Sequence, residues 1–385
     1  MLKPESERFL LNIGAHLTGE LQDVEPVRVL GVHLKHFRNI SLGTWFPGEA
    51  FNVLSGANGS GKTNWIEALG VMSMRRSFRA APRADWIQAG APLAELSFKL
   101  KLREGIKRLD LQIRAAGKIE YAFEGVRWHK EASLPYLFPV EVFHPGDAAL
   151  IGDADSIRRD FLDTLLVSID PSFSRIHQRY QKTLASRNRL FRLGRYERVL
   201  HRPYERLLAE SASLIIAARE GLIRNLIPTV QAVIAELHAE PVEVRLCYVP
   251  TLPKDSEAAL KTYEQSFNDE KRLGFTRKGP HADRCYFELA GRGARYQASA
   301  GQARMLVLAL KLAAFALRAR AHGRLPVLLL DDVTSELDER KRQRLFEVLA
   351  RLECQVFITT THPSYIQVSA QRADVHVAHG VLAPL

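Results

Sequence analysis

The chain has 385 residues, enough for two or three domains or for one domain carrying a large insertion. Its 46% apolar content suits an ordinary globular core, but a formal net charge of +11 points to nucleic acid, an anionic membrane surface or simply a basic soluble protein. Three widely spaced cysteines, Cys247, Cys285 and Cys354, exclude a disulfide framework and a cysteine zinc cluster, so they read as small buried hydrophobes of a reduced, intracellular chain.

No apolar run reads as long enough to span a bilayer, and Phe9-Leu10-Leu11 is too short for a signal-peptide core. No membrane partner is expected. Residues 1–26 show no strand pattern and leave a short helix, a mobile arm and an upstream extension equally open. Alternation predicts a strand from Val27 to Phe37, and the run Phe51-Asn52-Val53-Leu54 a short buried one. Three β-rich pieces, Glu95–Leu102, Leu109–Arg114 and Lys118–Phe123, are separated by Gly105 and Gly117 and predict an antiparallel meander. Val140–Phe143 is a further strand.

From Asp153 the apolar period becomes helical, with Ile157, Phe161, Leu162, Leu165 and Leu166 on one face. Residues 172–206 read as mostly helical, and a further helix as running from about Glu205 to Leu226, interrupted at Pro228. Val242–Val249, Cys285–Leu289 and Ala294–Ala298 read as strands, and Gly301–Ala321 as a long helix. The run Val327–Leu330, ending in Asp331-Asp332, predicts a strand buried on both faces. A helix at Asp338–Leu352 and strands at Gln355–Thr359 and Ala373–Val377 close the chain. The expected division is an extension at 1–26, the N-terminal part of an α/β lobe at 27–152, a helical insertion at 153–240, and the C-terminal part of the lobe at 241–385.

Gly56-Ala57-Asn58-Gly59-Ser60-Gly61-Lys62-Thr63 lies between predicted strand and helix. A glycine-rich turn there presents backbone N–H groups at the positive end of a helix, which suits the phosphates of ATP. Lys62 would reach the β- and γ-phosphates, and Thr63 would ligate Mg²⁺. Asp331 at the tip of a neighbouring strand would reach the same metal, while Asp332 would orient or deprotonate the attacking water. Lys62, Asp331 and Asp332 are therefore the candidate catalytic residues. Ser299-Ala300-Gly301-Gln302 opens the long helix and offers a second anion-binding end, although Ser299 could equally be a plain N-cap. Residues 172–206 hold ten arginines and lysines against two glutamates, an excess of eight that makes this segment the candidate DNA contact.

The order of these motifs resembles the ABC-type head domains of SMC-like proteins. Within that group the chain is similar, from about residue 28 onward, to the RecF family of DNA replication and repair proteins. Phe37-Arg38-Asn39, Phe143-His144-Pro145-Gly146-Asp147, Arg158-Arg159-Asp160-Phe161-Leu162-Asp163, Ser186-Arg187-Asn188, Gly279-Pro280-His281 and Leu330–Asp338 carry the resemblance. It implies an α/β ABC-type P-loop ATPase head with a meander and an inserted helical lobe, acting in the bacterial cytoplasm. It also implies a head-to-tail homodimer that forms on ATP and binds gapped, single-stranded or duplex DNA. Hydrolysis would be slow and regulatory, a weak DNA-dependent ATPase that releases DNA. RecO and RecR would be partners, and RecA loading the outcome.

Carried over to this chain, Ser299, Gly301 and Gln302 would complete the partner subunit's ATP site. Ser335 to Asp338 would be the D-loop, and Phe143 to Asp147 the Q-loop. Thr361-His362 would fall at the switch loop, with a local turn as the other reading of His362. The pattern departs at Gly146, where an acidic residue is expected, at Ala300 in place of Gln, and at Ala282-Asp283-Arg284 after His281. His281 is left as either functional or a structural loop residue. A transporter-type ATPase subunit and a small-molecule P-loop kinase are the competing readings.

Overall fold

The computed structural model describes residues 24–79, 81–114, 119–129, 133–237, 242–333 and 337–384. Nearly all of the 1–26 extension, and Ser335 and Glu336 of the expected D-loop, lie outside the described residues. The chain divides into two compact units. One holds residues 24–147, 232–237 and 308–384, and the other 148–231 and 242–307.

The first unit carries two six-stranded sheets. In the antiparallel one, strands β1 (Arg28–Phe37), β2 (Ile40–Trp45), β4 (Leu93–Leu102), β5 (Gly105–Arg114), β6 (Ile119–Phe123) and β7 (Val126–Trp128) follow the order β2-β1-β4-β5-β6-β7. Alternation builds it: Ala94, Leu96, Phe98, Leu100 and Leu102 are buried on β4, with the intervening residues half-buried or exposed. This is the predicted meander, extended by β1 and β2 at one edge and by β7 at the other.

The second sheet comprises β3 (Phe51–Ser55), β8 (Val140–Phe143), β11 (Val327–Asp331), β12 (Val356–Thr360), β13 (Arg372–Ala378) and β14 (Val381–Pro384) in the order β14-β13-β3-β12-β11-β8. All its pairings are parallel except the terminal hairpin of β13 and β14. Every residue of β3, β8, β11 and β12 is buried, as continuous apolar runs demand when both faces are covered. Helix α1 (Lys62–Met74) is buried nearly all round, and its Trp65, Leu69 and Met72 join Phe37, Phe98 and Phe357 in one core. Strand β14 was not expected from the sequence.

The second unit is mainly helical: α2 (Asp155–Ile169), α3 (Pro171–Arg192), α4 (Arg198–Leu237, of which 232–237 group with the first unit) and α5 (Ser256–Leu273), with β9 (Val244–Val249) antiparallel to β10 (Arg284–Leu289). Local chemistry sets the helix ends. Asp170 accepts from the Ser172 N–H at 2.8 Å with Pro171 in the first turn of α3, and Asp255 caps α5 in the same way. Gly274, at φ 79°, terminates α5 in the left-handed conformation.

Four expectations are corrected here. Pro228 does not interrupt a helix: α4 runs through both Pro203 and Pro228, because buried Leu222, Leu226, Val230, Val233 and Ile234 hold it on either side of the missing hydrogen bond. Residues 294–297 form a short helix rather than a strand. Residues 242–307, expected with the C-terminal part of the α/β lobe, group instead with the helical segment, since β9 pairs with β10 and Phe267 of α5 packs on Phe191. Finally, helix α6 (Ala300–His322) is long and apolar enough to cross a bilayer, contrary to the expected absence of such a run, and most of that run is buried inside the protein.

Candidate nucleotide site and basic helix face

The parallel register decides what meets at the carboxyl ends of the strands. Leu54 and Ser55 of β3 lie beside Thr359 and Thr360 of β12, and Thr359 lies beside Asp331 of β11. The phosphate loop leaving β3 therefore arrives next to the carboxylates leaving β11, at the edge where open α/β sheets bind ligands.

The loop glycines are fixed by space as well as by backbone angle. At Gly56 a Cβ would come within 2.4 Å of the Val377 carbonyl oxygen. At Gly61, with φ 106°, it would meet the Asn39 side chain at 2.8 Å and Gly380 at 3.1 Å. The Gly380 N–H donates to the Ser60 carbonyl (2.7 Å), and Trp65 Nε1 donates to the Gly380 carbonyl (3.0 Å). The turn of the C-terminal hairpin thus braces the loop from one side. Asn39 braces it from another, accepting from Asn64 Nδ2 at 2.7 Å. Neither brace was predicted; the Phe37-Arg38-Asn39 block was the one signal for them, and Arg38 of that block binds the buried Glu67 carboxylate.

Lys62, the first residue of α1, donates to the carbonyls of Gly56 and Ala57 at 2.8 Å each. Burial lowers its ammonium pKa, with Asp332 and Asp331 opposing that shift. Among the described residues the buried Ser60 Oγ finds no hydrogen-bond partner. A lysine at the loop, an orphaned hydroxyl and a cradle that a Cβ would fill are the groups a phosphate would satisfy.

The hydroxyls of Thr63 and Thr359 both donate to Asp331 Oδ1, each at 2.7 Å. The Asp332 N–H donates to Thr359 Oγ1 at 3.0 Å, and Asp332 has a left-handed φ of 49°. A hydroxyl and a carboxylate converging in this way form a donor set suited to a hard divalent cation. Lys62, Thr63, Asp331 and Asp332 are thus brought together. Thr359 was not singled out from the sequence, where it is an ordinary strand residue.

Ser299, Gly301 and Gln302 belong to the second unit. Ser299 Oγ accepts from the Gln302 N–H (3.2 Å) while Gln302 Oε1 accepts from the Ser299 N–H (2.9 Å), a reciprocal capping box on α6. In the expected Q-loop, Asp147 accepts from the His144 N–H and pairs with Lys311 at 2.9 Å. A Cβ at Gly146 would strike the His144 ring at 2.7 Å, which accounts for glycine at that position. His362 is exposed, with its ring against Tyr365. Of the expected D-loop only Leu337 and Asp338 are described, and Asp338 caps helix α7 (Glu339–Arg351).

The distinctive blocks of the second unit form its buried polar frame. Arg219 makes two 2.8 Å hydrogen bonds to Asp163 and reaches Asp283 at 3.3 Å. Burial disfavours the Arg219 charge, but the Asp163 carboxylate more than compensates and holds the guanidinium above its usual range. Asp283 also accepts from Tyr248, Thr251 N and Thr251 Oγ1. His281 has both ring nitrogens engaged, Nδ1 with the Tyr180 hydroxyl (2.6 Å) and Nε2 with the Thr276 carbonyl (3.0 Å). These two bonds support the structural reading of His281. Burial also accounts for two of the three cysteines, pushing the Cys285 and Cys354 thiols to about 12.

The basic segment separates into two groups. Arg187 is fully buried between Glu205 and Glu270, and Arg198 binds Glu205. Arg179 pairs with Glu210 at the surface. Arg175, Lys182, Arg189, Arg192, Arg195, Arg202 and Arg206 are exposed. Arg175, Arg179, Lys182 and Arg189 recur at helical spacing along one face of α3, over about 20 Å at 1.5 Å per residue.

The family model for RecF/RecN/SMC N-terminal domains matches residues 28–382. The "DNA replication and repair protein RecF" of Anaeromyxobacter sp. (strain K) is 32% identical over 373 residues, covering 93% of this chain and 100% of that protein. Its counterpart in Pseudomonas aeruginosa (strain UCBPP-PA14) is also 32% identical, over 349 residues, covering 89% and 94% respectively. Among solved structures, the recombination mediator protein RecF-ATPrS in the RecFOR pathway superposes with a TM-score of 0.84 at 25% identity, covering 94% of this chain and 99% of that one. An Smc head domain from Pyrococcus furiosus shares the fold at a TM-score of 0.55 and 16% identity, covering 93% and 96%. The transporter-subunit and small-molecule kinase readings are not favoured by these matches, and the expected ABC-type ATPase head is borne out. The chain belongs to the RecF family of DNA replication and repair proteins, within the RecF/RecN/SMC N-terminal domain group.

Proposed function

We propose that the protein is an ATP-dependent DNA-binding protein of recombinational repair and replication, in which nucleotide joins two copies of the chain on DNA. The observation that supports this most is the convergence of Thr63 with Asp331 beside the Gly56–Thr63 loop. In this reading the loop N–H groups, Ser60 and Lys62 hold the triphosphate of ATP. Thr63 and Asp331 hold Mg²⁺, which when bound supplies charge neutralisation between the phosphates. Asp332 accepts a proton from, or orients, the attacking water. Ser299, Gly301 and Gln302 present the capped N-terminus of α6 to the nucleotide of a second subunit.

The exposed cations of α3 and the start of α4 take up DNA phosphates, giving salt-dependent and largely sequence-independent affinity. The first unit then acts as the ATPase lobe and the second as the DNA-facing lobe. Slow hydrolysis releases DNA, with RecO and RecR as partners and RecA loading as the outcome in the cytoplasm. The structurally similar RecF-ATPrS is described as a recombination mediator of the RecFOR pathway.

Sedimentation and fluorescence anisotropy on a gapped duplex, with ATP or ADP, test this reading. The wild type should dimerise and bind DNA more tightly with ATP. Lys62→Arg should weaken ATP binding. Ser299→Arg should bind ATP as a monomer yet form no dimer. Equal DNA affinities with ATP and ADP would refute the proposal.

A further inference from the structure

We infer that Thr359 is a positioning residue that sets both carboxylates of the nucleotide site, an assignment that rests on the reading of that site given above. The strand order makes β12 the one element lying between β3, which feeds the phosphate loop, and β11, which ends in the carboxylates. Its last two residues are threonines, and Thr359 is 1% exposed, so its hydroxyl has no recourse to solvent.

That hydroxyl is used twice. It donates to Asp331 Oδ1 at 2.7 Å and accepts the Asp332 N–H at 3.0 Å. Thr63 Oγ1 donates to the same Oδ1, so one carboxylate oxygen is held by two hydroxyls and Oδ2 is engaged by neither. The Asp331 rotamer is thereby held from two sides, by helix α1 that follows the phosphate loop and by strand β12. Asp332 has φ 49°, in the left-handed region that is uncommon for non-glycine residues though more accessible to aspartate than to most. The bond from its N–H to Thr359 supports that conformation at the point where the chain leaves β11. In this assignment Thr359 acts through the two aspartates, as outer-shell partners of metal ligands do.

Thr359→Val keeps the shape and β-branching and removes both hydrogen bonds, while Thr359→Ser keeps the hydroxyl. The measurement is binding of a fluorescent non-hydrolysable ATP analogue to the full chain, in EDTA and over a Mg²⁺ titration. We expect Thr359→Val to bind the analogue in EDTA as the wild type does, but to need at least about tenfold more Mg²⁺ for half-maximal gain in affinity. Thr359→Ser should restore the wild-type midpoint, and Thr359→Ala should reproduce the valine result if valine is not accommodated. A merely structural threonine would lower the melting temperature and leave the Mg²⁺ midpoint in place, and that result would overturn the assignment. If the wild type itself failed to bind the analogue, the nucleotide-site reading would fall and this assignment with it. A wild type that binds while Thr359→Val keeps its Mg²⁺ midpoint would sink the Thr359 role alone.

Discussion

Arg187 offers a sharp test of whether a basic residue in the arginine-rich segment serves the fold or the DNA. Its guanidinium is fully buried and donates to Glu270 Oε2 at 2.7 Å, Thr276 Oγ1 at 2.7 Å and Glu205 Oε1 at 2.9 Å. Arg198 adds two hydrogen bonds to Glu205, at 2.8 and 3.1 Å, so two cations balance two buried carboxylates. Arg187→Ala would leave Glu270 without its cation and Glu205 with Arg198 alone. Removing one partner of a buried pair in this way costs about 3–5 kcal/mol. With a urea slope of about 2–3 kcal/mol/M, the unfolding midpoint should fall by about 1–2.5 M. Arg187→Met combined with Glu270→Gln should recover more than half of the loss, because position 270 then carries no charge and Glu205 keeps Arg198. Arg189→Ala and Arg192→Ala, both at exposed positions, should change stability by no more than about 0.5 kcal/mol. Each should instead reduce the salt slope of DNA binding by about 0.9. If Arg187→Ala unfolded at the wild-type urea concentration and lowered the salt slope as Arg189→Ala does, burial would be a false guide to which arginines meet DNA.

At Gly380 a Cβ would lie 2.7 Å from the Asn39 carbonyl oxygen, and its φ of 81° also disfavours any other residue. Gly380→Ala should therefore weaken ATP-analogue binding through the Gly380–Ser60 contact. Gly90→Ala, at φ 83° but with open space around it, should cost only about 1 kcal/mol of stability and no affinity. Equal binding by both variants would rule out the hairpin brace. Burial holds the imidazoles of His281 and His201 below their ordinary range, with backbone acceptors opposing the shift. Folded-state values lower than the unfolded ones mean that the unfolded chain binds protons first. This contribution to stability is therefore complete above about pH 6.5 and is lost as the pH falls below it toward the folded-state values. The melting temperature should drop between pH 7.5 and 5.5, and His281→Gln should flatten that slope; a flat wild-type profile would contradict it.

The elements most readable in the sequence were those whose burial is uniform or strictly periodic. The β11 run Val327–Asp331 and the alternating β4 could be read from residue order alone, because a strand covered on both faces is apolar throughout and a half-buried one alternates. The phosphate loop was legible for a similar reason, since its glycines, Lys62 and Thr63 are contiguous and their spacing is the chemistry. Pro228 misled because proline's local cost was outweighed by buried side chains flanking it in α4, a packing term invisible to propensity. The excess of eight charges does not say which arginines are available to DNA: Arg187 is committed to Glu205 and Glu270, and Arg198 to Glu205.

What the sequence by itself determined is local: strand and helix periods, the phosphate loop, the paired aspartates and the motif order that marks the family. What only the tertiary structure decided is which distant residues share a site. Asp331, which accepts from the Thr63 hydroxyl, lies 268 residues from it, and Gly380, which donates to the Ser60 carbonyl, lies 320 residues from Ser60, as their numbers show. A hydrogen bond formed across such separations depends on strand order and register rather than on spacing along the chain. Buried polar groups find their partners only once that register is set.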